Sequence, residues 1–190
     1  MHIDSEYACV PRGINPIRYA KRLRKEMSKG VLIFFCGKMG AGKTTRSREI
    51  AQARNAVWVS EDEWLEALYP QKIASLEDYI EYSALLRPPM KKIVQSILKV
   101  GTDVVMDYPA NTIQQRKWFR SIFSEIQAPH ELIYIDLPND VCLDRIAKRR
   151  AEQPERAATD TTEMFEKVTR YFVAPTSDED FNTTVISENA

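Results

Sequence analysis

A glycine-rich octapeptide, Gly37-Lys-Met-Gly-Ala-Gly-Lys-Thr44, lies between a short apolar run and a segment with helical periodicity. Its glycines allow backbone conformations in which several N–H groups point toward one anion. A helix that begins beside Lys43 would direct the positive end of its dipole toward the same anion. The pattern GxxxxGK[ST] in this context is typical of a P-loop, which requires a strand before the loop and a helix after it.

This loop predicts a site for a nucleoside triphosphate and Mg²⁺. Lys43 is expected to reach the β- and γ-phosphates and to act in catalysis, and the Thr44 hydroxyl is expected to bind the metal ion. The predicted nucleotide contacts cover the loop and the start of its helix: Gly37, Lys38, Met39, Gly40, Ala41, Gly42, Lys43, Thr44 and Thr45.

A P-loop Mg²⁺ usually has a second anchor from an acidic residue at the end of a neighbouring strand. The apolar run 103–107 ends in Asp107, so we predict Asp107 as this metal ligand. The alternative is that Asp107 only caps the turn before Tyr108-Pro109, a position where aspartate is common.

The composition favours one globular domain, because 44% of the 190 residues are hydrophobic. Lys+Arg and Asp+Glu both number 27, so the net charge gives no argument for a nucleic-acid or membrane partner. No apolar run approaches membrane-spanning length, and we expect a cytoplasmic protein. The three cysteines are far apart, which disfavours a structural zinc site and a disulfide scaffold.

Short apolar runs alternate with longer segments of helical periodicity, which predicts an α/β fold with a parallel sheet covered by helices on both faces. The predicted strands are 31–36, 56–60, 103–107, 132–137 and 183–186. The predicted helices are 43–54, 61–69, 76–100 with a break at Pro88-Pro89, 111–127, 139–153 and 161–172.

Residues 1–29 are predicted to form an N-terminal basic extension, and residues 30–190 the nucleotide-binding domain. Within the extension, 14–28 has the pattern of a basic amphipathic helix. This helix could pack on the domain, or it could offer a basic docking surface to a partner.

The segment Ser60-Glu61-Asp62-Glu63 closes the second predicted strand and opens a helix. Ser60 and Glu63 have the spacing of a capping box, and the acids suit the helix N-terminus. The end of this strand is also expected beside the phosphate crevice, where a carboxylate could accept the proton of an attacking hydroxyl. We predict Asp62 as that base, with Glu61 and Glu63 as alternatives.

The predicted helix 139–153 carries Arg145 and Arg149 four residues apart, on one face. Like charges at this spacing repel, and a bound anion would relieve the repulsion. The polar segment that follows could form a lid, at about 149–162, that brings arginines to a phosphoryl transition state. We predict catalytic roles for both arginines and a nucleotide contact for Arg145; the alternative is a solvated basic face.

Several segments together resemble small bacterial P-loop kinases, a group related to zeta toxins, chloramphenicol phosphotransferases and the kinase domain of polynucleotide kinases. These segments are GKMGAGKTT, VSEDEW, VVMDYPANTIQQRKWF, LDRIAKRR and FEKVTRYFVAPTSDEDFN, and the resemblance covers about residues 30–187. It implies ATP as the nucleotide, a three-layer sandwich whose five-stranded parallel sheet has the order 2-3-1-4-5, and an arginine-bearing lid. It also implies a base or substrate ligand at Asp62 and lid arginines at Arg145 and Arg149.

LDRIAKRR is also similar to the start of the lid in adenylate-type nucleoside monophosphate kinases. Those kinases have a substrate-phosphate arginine where this chain has Ala110-Asn111, which disfavours a monophosphate acceptor. Polynucleotide kinases often have an arginine three residues after the aspartate, and this chain has Leu65 there, which disfavours a nucleic-acid acceptor.

The acceptor is expected to bind between the second and third strands, where Trp64, Tyr79, Tyr82 and Arg87 are the candidate contacts. The aromatic side chains could equally pack in the core or on the surface, and Arg87 could contact an anionic substrate.

Two classes of function follow. The favoured one is an ATP-dependent kinase that phosphorylates a hydroxyl of a small molecule. The other is a nucleotide-dependent ATPase or switch that controls a protein partner, and a divergent nucleoside monophosphate kinase is a further alternative. The absence of the base-recognition sequence NKxD argues against a switch of the small-GTPase kind.

Overall fold

The computed structural model describes Asn15 and residues 28–187. The predicted helix 14–28 lies outside the described residues except for Asn15 and Ser28, and the end of the chain after residue 187 is likewise outside them. Within the described part, no helix is both long enough and apolar enough to span a membrane.

A five-stranded sheet forms the centre of the molecule, and all its neighbouring strands are parallel. The strand order is β2-β3-β1-β4-β5, as predicted. The strands are β1 (Leu32–Cys36), β2 (Val57–Ser60), β3 (Val104–Pro109), β4 (His130–Asp136) and β5 (Thr183–Ser187). The P-loop follows the central strand, and Ser60 of β2 is in register with Asp107 of β3. Asp62, two residues after Ser60, and Asp107 therefore lie near the C-terminal ends of adjacent strands.

In the part of the chain that the structure describes, six α-helices connect the strands. They are α1 (Lys43–Arg54), α2 (Glu61–Leu68), α3 (Leu76–Lys99), α4 (Ile113–Ser124), α5 (Asn139–Glu152) and α6 (Thr162–Thr169). Single 3₁₀ turns cover Pro154–Arg156 and Ser177–Glu179.

Helix α3 continues through Pro88 and Pro89, so the predicted break at this pair is wrong. The two prolines remove the hydrogen bonds to the carbonyls of Ala84 and Leu85, but all four residues are exposed, so water can satisfy those carbonyls. On the opposite side a stripe of residues is buried at four-residue spacing: Leu86, Met90, Val94 and Leu98. Burying these four side chains outweighs the roughly 3 kcal/mol that a helix-interior proline costs.

Successive residues of β1 point to opposite faces of the sheet, and each face has its own core. Leu32 and Phe34 pack in the cluster that includes α3 and α4. Ile33 and Phe35 pack in the cluster that includes α1, α5 and α6. All four side chains are fully buried. This alternation produces the predicted three-layer sandwich.

A buried ion pair ties the C-terminal segment to the end of β3. The fully buried Arg116 of α4 donates from Nε and Nη2 to the two carboxylate oxygens of Glu179, each at 2.7 Å. Its Nη1 donates to the carbonyls of Ala110 and Val173 at 3.0 and 2.8 Å. Burial would raise the pKa of Glu179, but the hydrogen bonds and the charge of Arg116 lower it. One guanidinium thus joins β3, α4 and the segment before β5.

Glu179→Ala is expected to lower the free energy of unfolding by about 3–5 kcal/mol, because it leaves the Arg116 charge buried without a partner. The control is Glu49→Ala, which removes an exposed ion pair with Arg46 and should change stability by about 0.5 kcal/mol or less. Chemical denaturation measures both variants. An equal loss of stability in Glu179→Ala and Glu49→Ala would contradict the argument that burial makes the Arg116–Glu179 pair important.

Candidate active site

The P-loop turns sharply between Cys36 and Lys43. Gly40 and Gly42 have φ angles of 78° and 97°, in the region that glycine adopts most easily. A Cβ on Gly40 would also lie 2.5 Å from the carbonyl oxygen of Cys142 in α5. Glycine is therefore required at position 40 both by the turn and by the close approach of α5.

Lys43 lies across its own loop. Its Nζ donates to the carbonyl oxygens of Gly37 and Lys38 at 2.6 and 2.9 Å. Burial lowers the pKa of Lys43, and the nearby Asp107 partly counters this. The ammonium is thus held inside the phosphate loop, as its predicted role requires. The Lys38 side chain instead donates to the carbonyl of Leu137, at 3.3 Å.

Asn111 supports the P-loop. The sequence analysis named it only because nucleoside monophosphate kinases have an arginine at this place. Its side-chain oxygen accepts a hydrogen bond from Gly37 N at 3.0 Å, across 74 residues of sequence. The backbone N–H of Asn111 donates to Gln115 in the capping box at the start of α4. The turn after β3 therefore fixes the first residue of the loop.

Asp107 and Thr44, the predicted metal ligands, lie next to each other. Burial raises the pKa of Asp107, and the nearby Thr44 side chain counters part of this rise. Lys43 and Asp62 are also close enough to influence the pKa of Asp107. A hydroxyl and a carboxylate are hard oxygen donors that suit Mg²⁺, which usually takes its other ligands from phosphate and water. Residues 28–187 contain no larger group of His, Cys, Asp and Glu that could hold a metal ion.

The three acids at the start of α2 have different surroundings. Glu61 is buried, and its Oε2 accepts a hydrogen bond from the Tyr79 hydroxyl at 2.5 Å. Glu63 pairs with Arg48 on the surface at 3.3 Å. Asp62 forms no ion pair with any described residue and faces the crevice beside the P-loop, where Lys43 lies close to it. The three acids therefore differ in their surroundings, and Asp62 as the base stays a prediction.

Asp62 remains accessible to solvent, but the crevice walls displace part of its hydration. This desolvation raises its pKa, and the positive charges of Arg156, Lys43 and Arg149 partly oppose the rise. A carboxylate with a raised pKa is a stronger base than an ordinary surface carboxylate.

Arg145 and Arg149 project from the same face of α5, as predicted, but they have different partners. Arg145 Nη1 donates to the carbonyl of Ala41 in the P-loop at 3.1 Å. Arg149 donates to both carboxylate oxygens of Asp160, at 2.6 and 2.7 Å. The lid segment is more ordered than the predicted polar loop, because a 3₁₀ turn and Asp160 organise it. A carboxylate of the chain thus relieves the repulsion that was expected to need a bound anion.

Asp160 is a residue that sequence reasoning missed. Its side chain is fully buried, and it also accepts from Arg156 Nε at 3.2 Å. Burial would raise the pKa of Asp160, but the hydrogen bonds and charges of Arg149 and Arg156 lower it. Since both arginines also act on Asp62, Asp160 holds two cations near the predicted base.

The four candidate acceptor contacts do not all point toward one place. Tyr82 packs on Tyr69, with ring centroids 4.5 Å apart, and Trp64 is 39% exposed on α2. Tyr79 bonds to Glu61, and Arg87 lies over the ring of Trp118 at 5.5 Å. Tyr79 and Arg87 thus point into the fold, toward Glu61, whereas Tyr82 has the packing role that was its alternative.

The family described as an AAA domain, AAA_33, matches residues 32–175 and so covers the P-loop, Asp62, Asp107 and the lid. The chain belongs to this family. The resemblance to small P-loop kinases is confirmed by the same match and by solved structures with this fold.

Three solved structures illustrate this likeness. The Mycobacterium tuberculosis APS kinase CysC, in complex with AMPPNP and APS, has a TM-score of 0.59 and 15% identity over 86% of this chain and 91% of that chain. Kti12 of Chaetomium thermophilum, in complex with ADP-AlF3, has a TM-score of 0.61 and 16% identity over 83% and 89%. A sugar kinase from Janibacter sp. HTCC2649 has a TM-score of 0.56 and 16% identity over 86% and 87%. At these identities the likeness shows the fold.

Asp160→Asn is expected to lower the free energy of unfolding at neutral pH by about 1–3 kcal/mol, because both arginines lose a charged partner. The folded-state pKa of Asp160 is below the ordinary carboxyl value, so its stabilising effect is present above that value. The effect is lost as the pH falls through the lowered pKa.

Thermal or denaturant unfolding at a series of pH values measures this dependence. The stability difference between wild type and Asp160→Asn should shrink under acid conditions, and Asp144→Asn, an exposed site on α5, should match wild type throughout. A difference that stays constant down to strong acid would contradict the charge argument.

Proposed function

We propose that the protein is an ATP-dependent phosphotransferase that moves the γ-phosphate of Mg-ATP to a hydroxyl of a small-molecule acceptor. The observation that carries the proposal is the position of Asp62. This carboxylate has no ion-pair partner among the described residues, and it lies close to Lys43 and to the arginines of the lid segment. A base beside a phosphate loop is what direct transfer to a hydroxyl requires.

The donor side of the reaction uses the P-loop. Its backbone N–H groups would bind the phosphates of ATP, and Lys43 would offset the charge of the β- and γ-phosphates. Thr44 and Asp107 would hold Mg²⁺, which supplies further neutralisation of phosphate charge when it is bound. Arg145 already contacts the loop, and Arg149 would stabilise the charge of the transferring phosphoryl group.

On the acceptor side, Asp62 would accept the proton of the attacking hydroxyl. The hydroxyl oxygen forms the new bond to the γ-phosphorus, while the bond between that phosphorus and the β–γ bridging oxygen breaks. ADP leaves with the bridging oxygen and its electron pair. The raised pKa of Asp62 suits it to take this proton.

The structural neighbours support nucleotide use. The APS kinase structure contains AMPPNP and the Kti12 structure contains ADP-AlF3. These ligands belong to those proteins, and they agree with a nucleotide site at the corresponding loop of this chain.

Lys43→Met is expected to abolish measurable binding of Mg-ATP, because the variant loses the charge that offsets the β- and γ-phosphates. Isothermal titration calorimetry measures the affinity. Lys99→Met is the matched control, since Lys99 is exposed in the last turn of α3 and is not among the predicted nucleotide contacts. Unchanged affinity in Lys43→Met, or equal loss in both variants, would refute the assignment of the loop.

Asp62→Asn is expected to lower phosphotransfer by about 10²–10⁴-fold, because an amide cannot accept the hydroxyl proton. Mg-ATP affinity and the thermal midpoint should stay near the wild-type values. The acidic limb of the kcat–pH profile, expected above the ordinary carboxyl range because the pKa of Asp62 is raised, should disappear.

Glu63→Gln controls for the loss of a charge from the first turn of α2, since Glu63 only pairs with Arg48 at the surface. This variant should keep full activity. If Asp62→Asn transfers phosphate normally, Asp62 is not the base. If wild type phosphorylates no acceptor while its ATP hydrolysis responds to a protein partner, the switch function replaces the kinase.

A further inference from the structure

Beside Asp62, buried polar side chains of α2, α3 and β3 form a group in which hydrogen bonds are missing. Five buried side-chain nitrogen or oxygen atoms of the described residues lack a hydrogen-bond partner. Four of them belong to this group: Glu61 Oε1, Ser83 Oγ, Arg87 Nε and the Tyr108 hydroxyl oxygen. We call these four residues the polar cluster.

The four side chains are neighbours in space. Burial raises the pKa of Glu61, and the nearby Tyr79, Arg87 and Ser83 side chains partly oppose this rise, although no direct ion pair joins Arg87 to Glu61 in the described structure. Glu61 and Arg87 both act on the pKa of Tyr108 as well. The Trp118 ring contacts two members of the cluster, with 5.5 Å to the Arg87 guanidinium and 5.8 Å to the Tyr108 ring.

A concentration of unpaired polar atoms is unusual inside a protein. More than nine in ten buried polar groups have a partner, and an unpaired one destabilises the fold. Such groups persist where function needs them, and this cluster adjoins Asp62 in the chain and Asp107 at the end of β3. Its members Glu61 and Tyr108 are therefore the chain neighbours of the proposed base and of the proposed metal ligand.

The chemistry of the missing partners selects a ligand class. Glu61 Oε1 requires a donor, Arg87 Nε requires an acceptor, and the hydroxyls of Ser83 and Tyr108 can use either. A ligand hydroxyl donates and accepts at once, so it can bridge a carboxylate and a guanidinium that do not touch. The charges of Glu61 and Arg87 cancel, which gives no preference for an anion or a cation.

We propose that the polar cluster binds an uncharged polyhydroxylated acceptor, a sugar or a cyclitol, and presents one of its hydroxyls to Asp62. This inference rests on the proposed kinase function and names its acceptor class. A charged acceptor is disfavoured because the polar cluster has no net charge to pair with it, and an unpaired charge is costly to bury.

Access to the cluster requires movement of Tyr79, whose hydroxyl covers Glu61. Tyr79 lies on the N-terminal half of α3, and Pro88 and Pro89 remove two hydrogen bonds between the halves of this helix. The N-terminal half is further held by the exposed ion pair of Glu77 with Lys167, which contributes little. The half-helix that carries Tyr79, together with Ser83 and Arg87 of the polar cluster, is thus the easier part of α3 to displace.

The test combines binding and transfer. Calorimetry in the presence of Mg-AMPPNP measures the binding of neutral polyols, namely D-glucose, D-ribose, D-mannitol and myo-inositol, and of the anionic comparators D-gluconate and AMP. Transfer of labelled phosphate from ATP is measured with the same compounds. We expect a neutral polyol to bind and to be phosphorylated in preference to the anions.

Tyr108→Phe removes one unpaired hydroxyl and keeps the ring. It should weaken the affinity and raise the KM for that polyol by about 5- to 15-fold, the effect of one hydrogen bond. The KM for ATP should be unchanged, and the thermal midpoint should stay the same or rise, because the variant buries no unpaired oxygen at this position. Tyr134→Phe, which removes a hydroxyl bonded to Asp136 on β4, should leave polyol binding unchanged.

The outcomes separate the two proposals. If anions bind and are phosphorylated while no polyol binds, the acceptor class is wrong and the kinase function stands. If a polyol binds in a Tyr108-dependent way but no phosphate is transferred, the binding site stands and the kinase function fails. If Tyr108→Phe raises the thermal midpoint without altering the binding of any probe, the cluster holds ordered water only and the inference is overturned.

Discussion

The close approach of the P-loop to helix α5 is the constraint on which the rest of the site depends. The carbonyl of Cys142 leaves no room for a Cβ at position 40, so the loop must lie directly on the helix that carries the arginines. Arg145 then reaches the carbonyl of Ala41, one turn further along α5. On the other side of the loop, Asn111 holds the N–H of Gly37. A loop fixed between α5 and the end of β3 places its lysine, Thr44 and Asp107 together without help from a ligand.

The two carboxylates beside the lid arginines, Asp160 and Asp62, differ in whether they form ion pairs with them. Asp160 is buried and takes two arginines, so these cations are held in place before any phosphate is present. Asp62 feels the same arginines only at a distance and forms no ion pair among the described residues, so its proton-accepting oxygens stay available. If Asp62 and Asp160 exchanged partners, the proposed base would be neutralised by a salt bridge and the arginines would lose their buried partner. Because the buried Asp160 holds the arginines, the exposed Asp62 stays available for its proposed role as the base.

The sequence predicted those parts of the structure that depend on local pattern. The five strands, the P-loop and the first-turn position of Asp62 all follow from short runs of residues, and the strand order came from the family resemblance. The sequence did not predict interactions between distant segments: Arg116 with Glu179 is separated by 63 residues, and Gly37 with Asn111 by 74. The error at Pro88-Pro89 has the same origin. Proline's local cost is readable from sequence, whereas the buried stripe of α3 that outweighs it depends on the packing of the whole sheet.

The two halves of helix α3 differ in how firmly they are held to the sheet. Its C-terminal half carries Met90, Val94 and Leu98 in the core, and their burial fixes that half to the sheet. Its N-terminal half carries Tyr79, Ser83 and Arg87 at four-residue spacing, so all three share one face and are presented together to Glu61. The proline pair lies where the two halves meet, and there the helix lacks two of its internal hydrogen bonds. The N-terminal half of α3 can therefore move at a smaller energetic cost than the C-terminal half, because bending at the prolines breaks no core contact of the C-terminal half.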